Sequence, residues 1–306
     1  MSPHLLIPMA ASQAPGCDPV LAHLKLPQLD RLLSRLTLTH TDAGQETDFA
    51  PPHERALARA LGLPEPATPW AAARQQTASE GWAYLTPCHW HVGADHVTLL
   101  HPAQLQLTEA DSRMLVEILA PWLAQDGIAL SYEQPTRWLA RGAIFEGLEC
   151  ASLDRVIGRD VRAWMPRGPR ATEVQRLHSE VQMLLYTHAF SEARAAKGQL
   201  AVNAFWVHGA GRLATLPAQH AAPDMPGALF DAALQQDWSA WARAWQQLDS
   251  GPVAELLRQA TAGESVTLTL CGDLSALTFT SQHRGLGRKI HSLFGRQRFV
   301  DLRKQL

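Results

Sequence analysis

Residues 80 to 150 have a texture unlike the sequence on either side of them. Trp82 to Trp90 and His96 to Leu100 read as two strands with Gly93 between them. Thr108, with Asp111 three residues on, then opens a helical run from Glu109 to Gln125 in the manner of a capping box. Pro121 is expected to kink or split that run. Ile128 to Tyr132 and Arg137 to Arg141 read as two more strands. Strand-strand-helix-strand-strand closes into a small α+β unit of its own. The chain therefore reads as an α/β core, residues 1–79 and 151–306, carrying an inserted α+β subdomain at residues 80–150.

The flanks supply the core. Leu5 to Met9 reads as a short buried strand, and Pro27 to Leu36 as a helix with Leu29, Leu32, Leu33 and Leu36 at helical spacing. His40 to Ala50 is polar and reads as loop, after which Pro51 and Pro52 open a helix through Leu61. Thr172 to His188 carries one apolar stripe: Val174, Leu177, Val181, Leu184 and Leu185. Leu200 to Val207 reads as a buried strand stopping at Gly209-Ala210-Gly211. Residues 224–262 read as largely helical, with Trp238, Trp241 and Trp245 as a packing ridge. Val266 to Cys271 and Ala276 to Thr280 read as strands.

Of the 306 residues, 46% are hydrophobic and the net charge is −2, which excludes a disordered chain and a general nucleic-acid binder. No apolar run approaches the ~20 residues of a membrane helix. Without a basic leader, and with Cys17, Cys88, Cys150 and Cys271 far apart, the chain reads as a cytoplasmic protein with reduced thiols and no membrane partner. Seven Lys or Arg from Arg284 onward, against one acid, Asp301, read as a solvated terminal helix or a weak contact for nucleic acid or anionic lipid.

Four constellations bear chemistry. His89-Trp90-His91 places two imidazoles on one face of an extended strand, with Asp95 or His96 as a third ligand: a weak metal site or a polar sheet face. His53-Glu54 at a helix start is either a proton-transfer pair or a polar residue beside an acid that complements the helix dipole. Asp154, Arg155, Arg159 and Asp160 crowd into seven residues, as a phosphate or carboxylate site or as a closed clamp. Asn203 with Gly209 and Gly211 suggests a strand running into a turn that lets backbone approach a ligand or another strand closely, or into a plain turn. A dinucleotide fingerprint, a P-loop and a Gly-x-Ser-x-Gly elbow are all missing from the sequence.

Leu177 to Arg212 resembles a segment of the archaeal-type cofactor-independent phosphoglycerate mutases of the alkaline-phosphatase superfamily. His188, Arg194, Lys197-Gly198, Asn203 and Gly209-Ala210-Gly211 fill the family's places, with Ala189 where it has proline. The whole chain is similar to a proteobacterial group labelled phosphoglycerate mutase-like or RpfE-type regulatory protein. The marks are Pro51 to Ala58, Thr86 to Gly93, Ser152 to Arg159 and Leu268 to Gly272. The resemblance implies a reduced alkaline-phosphatase-like core. The mutases use two divalent metals, a first-strand Asp-Gly and a serine nucleophile. Here the first strand runs into Pro8-Met9-Ala10, and Pro52-His53-Glu54 stands at the nucleophile's place. The expectation is a non-catalytic regulatory or ligand-binding protein without a cofactor. Its binding set is Asp154, Arg155, Arg159, Asn203, Gly209 and Gly211, and its partner a small phosphate-like anion or another protein. The alternative is a divergent Mn²⁺- or Mg²⁺-dependent phosphomutase or phosphatase using His53, Glu54, Asp154, His89 and His91.

Overall fold

The computed structural model describes residues 2–218, 220–281 and 298–306. The described residues form a mixed α/β structure with ten strands: β1 (His4–Ile7), β2 (Thr37–Ala43), β3 (Trp82–Cys88), β4 (Trp90–Val92), β5 (Val97–Leu99), β6 (Ala129–Gln134), β7 (Arg137–Arg141), β8 (Ala204–Gly211), β9 (Thr267–Cys271) and β10 (Ser275–Thr280). They divide between two compact units, residues 1–62 with 219–306, and residues 63–218.

The first unit holds a four-stranded sheet in the order β1-β9-β10-β2. β1 and β9 are parallel, in the register Leu5 to Leu268 and Ile7 to Leu270, and the other pairings are antiparallel. β2 occupies part of the stretch expected to be loop. Its residues are mostly exposed, so no apolar alternation marks it, and its pairing with β10 makes it a strand. The helix Pro27–Leu33 buries Leu29, Leu32 and Leu33, as its spacing predicts. Its first turn is capped from afar: Asp249 accepts from the backbone N–H of Gln28 at 3.2 Å and of Leu29 at 2.8 Å. The tryptophan ridge lies on the helix Trp238–Leu248. Trp241 and Trp245 are fully buried, and their indole N–H groups donate to the carbonyls of Met9 and Ala10. Trp245 also packs on Phe299, with ring centroids 5.1 Å apart, so residues 299–302 complete this core. Of the basic tail, Arg284, Arg288, Lys289 and Arg296 lie outside the described residues.

The second unit holds an antiparallel sheet in the order β6-β7-β3-β8 and a separate two-stranded ribbon, β4-β5. The capping box of Thr108 and Asp111 forms, and the helix Glu109–Ala124 runs through Pro121 unsplit. Trp138 and Trp206 are fully buried, with their N–H groups on Ser112 Oγ and the Ala151 carbonyl. The helix Ala171–Tyr186 lays its predicted stripe into the same core. The expected boundaries at 80 and 150 give way to 63 and 218, because β8 hydrogen-bonds along β3 and ties the following sequence to the inserted sheet.

Candidate functional site

Two of the sequence candidates, His53 and Glu54, stand in the first unit, and the others in the second. His53 is buried in the opening turn of the helix Pro52–Leu61, with its ring edge against Phe230 at 5.2 Å. The next residue, Arg55, carries the more extensive polar network. Its buried guanidinium grips Asp42 through Nε at 3.0 and 3.2 Å, and donates to the carbonyls of Ala50 at 2.6 Å and Leu274 at 3.0 Å. Arg59 adds a second cation on Asp42 at 2.9 Å. Sequence reasoning missed this network because its partners come from four separate segments.

Asn203, Gly209 and Gly211, expected in the binding set, are engaged with the sheet. The Asn203 carboxamide accepts from the Trp90 N–H at 2.7 Å and donates to the Trp90 carbonyl at 2.9 Å, pairing like another backbone unit. The expected turn at Gly209 to Gly211 lies inside β8. Trp82 faces Gly211 and Tyr84 faces His208, so three steps on β8 oppose two on β3: a bulge. Gly209 has φ 57°, and a Cβ there would sit 3.0 Å from Trp70 Cβ and 3.1 Å from Tyr84. At Gly211 a Cβ would meet Pro69 at 2.9 Å. At these glycines the close approach seen is that of neighbouring protein.

Asp154, Arg155 and Arg159 surround a short helix, Leu153–Val156, and the loop after it. Arg155 is buried and Arg159 exposed, yet both guanidinium groups lie over Trp164, at 6.0 and 5.6 Å from the ring centroid. Asp160 is taken by Arg162, in bonds of 2.6 to 3.1 Å from Nε and Nη2, and that guanidinium holds its carboxyl down to about 2. Arg159 makes no ion pair among the described residues. Trp164 and Arg162 were not legible as partners, since a tryptophan and a third arginine nearby carry no spacing signal.

The paired histidines fall at the edge of the ribbon. His89 lies between β3 and β4, half-buried, and His91 lies on β4, exposed. Asp95 and His96, the two expected third ligands, are bonded to each other, Oδ1 to Nδ1 at 2.6 Å. Among the described residues, no three His, Cys, Asp or Glu side chains gather to hold a metal ion. The residues present therefore do not fit the pair of divalent ions that the mutase resemblance implies.

Two histidines of the second unit are not among the sequence candidates for the site, His178 buried and His208 half-buried. His178 packs among Trp90, Phe205 and Trp206 with no hydrogen-bond partner among the described residues on either ring nitrogen, and burial lowers its pKa to about 4. His208 shares a 3.1 Å hydrogen bond with Thr86, and burial, aided by Arg137, lowers it to about 4 as well. All four cysteines are free. Burial raises the Cys88, Cys150 and Cys271 thiols and takes Cys17 to about 11, so they stay protonated at neutral pH.

No protein-family model matches the chain, and no curated protein matches it in sequence. Among solved structures, it aligns with the cofactor-independent phosphoglycerate mutase from Thermoplasma acidophilum DSM 1728. That alignment has 12% identity and a TM-score of 0.41, covering 100% of this chain and 99% of that one. It also aligns with the PH0037 protein from Pyrococcus horikoshii at 12% identity and a TM-score of 0.41, covering 92% of this chain and 87% of that one.

Proposed function

We propose that this protein is a non-catalytic, regulatory binding protein for a small phosphate-like anion, recognised at Arg155, Arg159 and Trp164. The observation that carries the reading is the Arg159 guanidinium, exposed above an indole that a second, buried guanidinium also flanks, with Asp160 engaged elsewhere. An exposed positive charge on an aromatic platform suits a charge-assisted bond to phosphate or carboxylate. Asp154, half-buried, lies on the same short helix as Arg155. The motifs shared with the phosphoglycerate mutase-like proteobacterial group are consistent with a bacterial relative that has lost the mutase reaction, since its first strand leads into Pro8-Met9-Ala10 without a carboxylate. Four unpaired cysteines suit a cytoplasmic setting. No described helix is long and apolar enough to cross a membrane.

Calorimetry with inorganic phosphate and 3-phosphoglycerate tests the reading. The wild type should bind, and Arg159→Ala should weaken binding about tenfold or more, the equivalent of one charge-assisted hydrogen bond, while its melting temperature holds. Absence of binding by the wild type, or equal binding by Arg159→Ala, overturns it. Mn²⁺-dependent turnover of phosphoglycerate that His53→Ala abolishes would instead establish the phosphomutase alternative.

A further inference from the structure

The ribbon edge carries chemistry that the anion site does not use. His89 Nδ1 lies 2.8 Å from the Ala201 carbonyl oxygen. A carbonyl can only accept, so Nδ1 bears the proton and the lone pair of this ring is on Nε2. Nε2 has no protein partner among the described residues and is not among the buried atoms sealed from solvent. Such an imidazole is fixed in tautomer and orientation by a backbone carbonyl and offers its far nitrogen outward. That is the arrangement of a metal-ligating histidine with its supporting shell in place. The His91 ring is exposed, lies 6.4 Å from the His89 ring, centroid to centroid, and is tilted from it by 31°.

From these features we infer that His89 and His91 form a two-imidazole chelate for a borderline divalent transition ion: Zn²⁺, Ni²⁺ or Cu²⁺. Two imidazoles on one ion at ~2.0–2.1 Å per bond set their ring centroids roughly 5–6 Å apart. The observed separation closes to that range by a small rotation of His91, whose exposed side chain is held by no hydrogen bond among the described residues. Imidazole is a poor ligand for Mg²⁺ and Mn²⁺, which favour oxygen, so this site is distinct in kind from an oxygen-rich phosphomutase centre. Asp95 is turned to His96, so solvent or an incoming ligand supplies the remaining positions and the ion keeps open coordination sites.

The test is titration of the tag-free full chain with ZnCl₂ and with NiCl₂, followed by calorimetry. One ion should bind per chain. His91→Ala, a change on an exposed strand position, should weaken binding by about tenfold or more, since one of only two protein ligands is lost. His96→Ala, another exposed histidine of the same ribbon, should bind as the wild type does. His89→Phe is the second arm: it should abolish binding, with circular dichroism showing whether the ribbon is intact. MgCl₂ should give no heat. The inference is overturned if His91→Ala binds zinc like the wild type, if His96→Ala loses binding equally, or if the wild type shows no saturable binding at millimolar metal.

Discussion

Arg55 and Arg59 sit one helical turn apart and share Asp42, yet they differ in what their loss should do. Arg55 is sealed and supplies donors to a carboxylate and two carbonyls, whereas Arg59 is more than a third exposed. Breaking a buried pair leaves Asp42 short of its counter-charge and the Ala50 carbonyl without its donor, while the Leu274 carbonyl keeps the Gly44 N–H, and costs about 3–5 kcal/mol. Removing an exposed partner costs about 1 kcal/mol or less. Urea unfolding of Arg55→Ala and Arg59→Ala should show that gap, and equal midpoints would contradict it. The sequence made Arg55 inconspicuous. It follows His53 and Glu54, which look like chemistry, while its partners at Asp42, Ala50 and Leu274 are scattered along the chain. Asn203 misled for the opposite reason. An amide beside a Gly-x-Gly reads as ligand-binding, and only its pairing with the Trp90 backbone shows a structural role. Arg155 and Arg159 stand out in the sequence as charge density in a short segment, whereas the indole they share could be found only in space.

The elements with strong periodicity were the most legible. The helix Ala171–Tyr186 and the capped helix Glu109–Ala124 follow their apolar spacing, and β9 and β10 their short hydrophobic runs. β8 was misplaced because glycines in a strand look like its end, when here they make its bulge. The bulge has a measurable signature. Gly209→Ala incurs the left-handed backbone penalty of about 1–2 kcal/mol and must also displace Trp70 or Tyr84, adding about 1–3 kcal/mol. Gly158 has φ +74°, and a Cβ at that position would meet nothing within 4 Å, so Gly158→Ala incurs the backbone penalty alone. Thermal melts should therefore place Gly209→Ala clearly below Gly158→Ala. The same melting temperature for both would mean that the Trp70 and Tyr84 contacts yield at no cost.

Burial lowers His4 in the first unit, but the larger response to acid belongs to the second. His178 and His208 both lie in the second, with folded pKa values of about 4 against an unfolded value near 6.5. The unfolded chain thus takes up protons first as pH falls. The stability from keeping these rings neutral is complete above pH 6.5 and is lost progressively toward pH 4. Two such groups give a slope approaching ~2.7 kcal/mol per pH unit in the middle of that window. Denaturant melts across this range should show the second unit weakening, and His178→Phe should remove about half of the slope. A profile flat from pH 7 to 4 would rule the effect out. The pairing of β1 with β9 bears on a different matter, the order in which a nascent chain can fold. Residues 4–7 must find their parallel neighbour at 267–271, and everything in the second unit is synthesised between them. At ~5–20 residues per second, β1 waits many seconds on the ribosome with its hydrogen-bonding edge unmet by β9. The second unit, whose sheet closes locally between residues 82 and 211, has all its strands by then. During synthesis, the unit that begins first is therefore the one that finishes last.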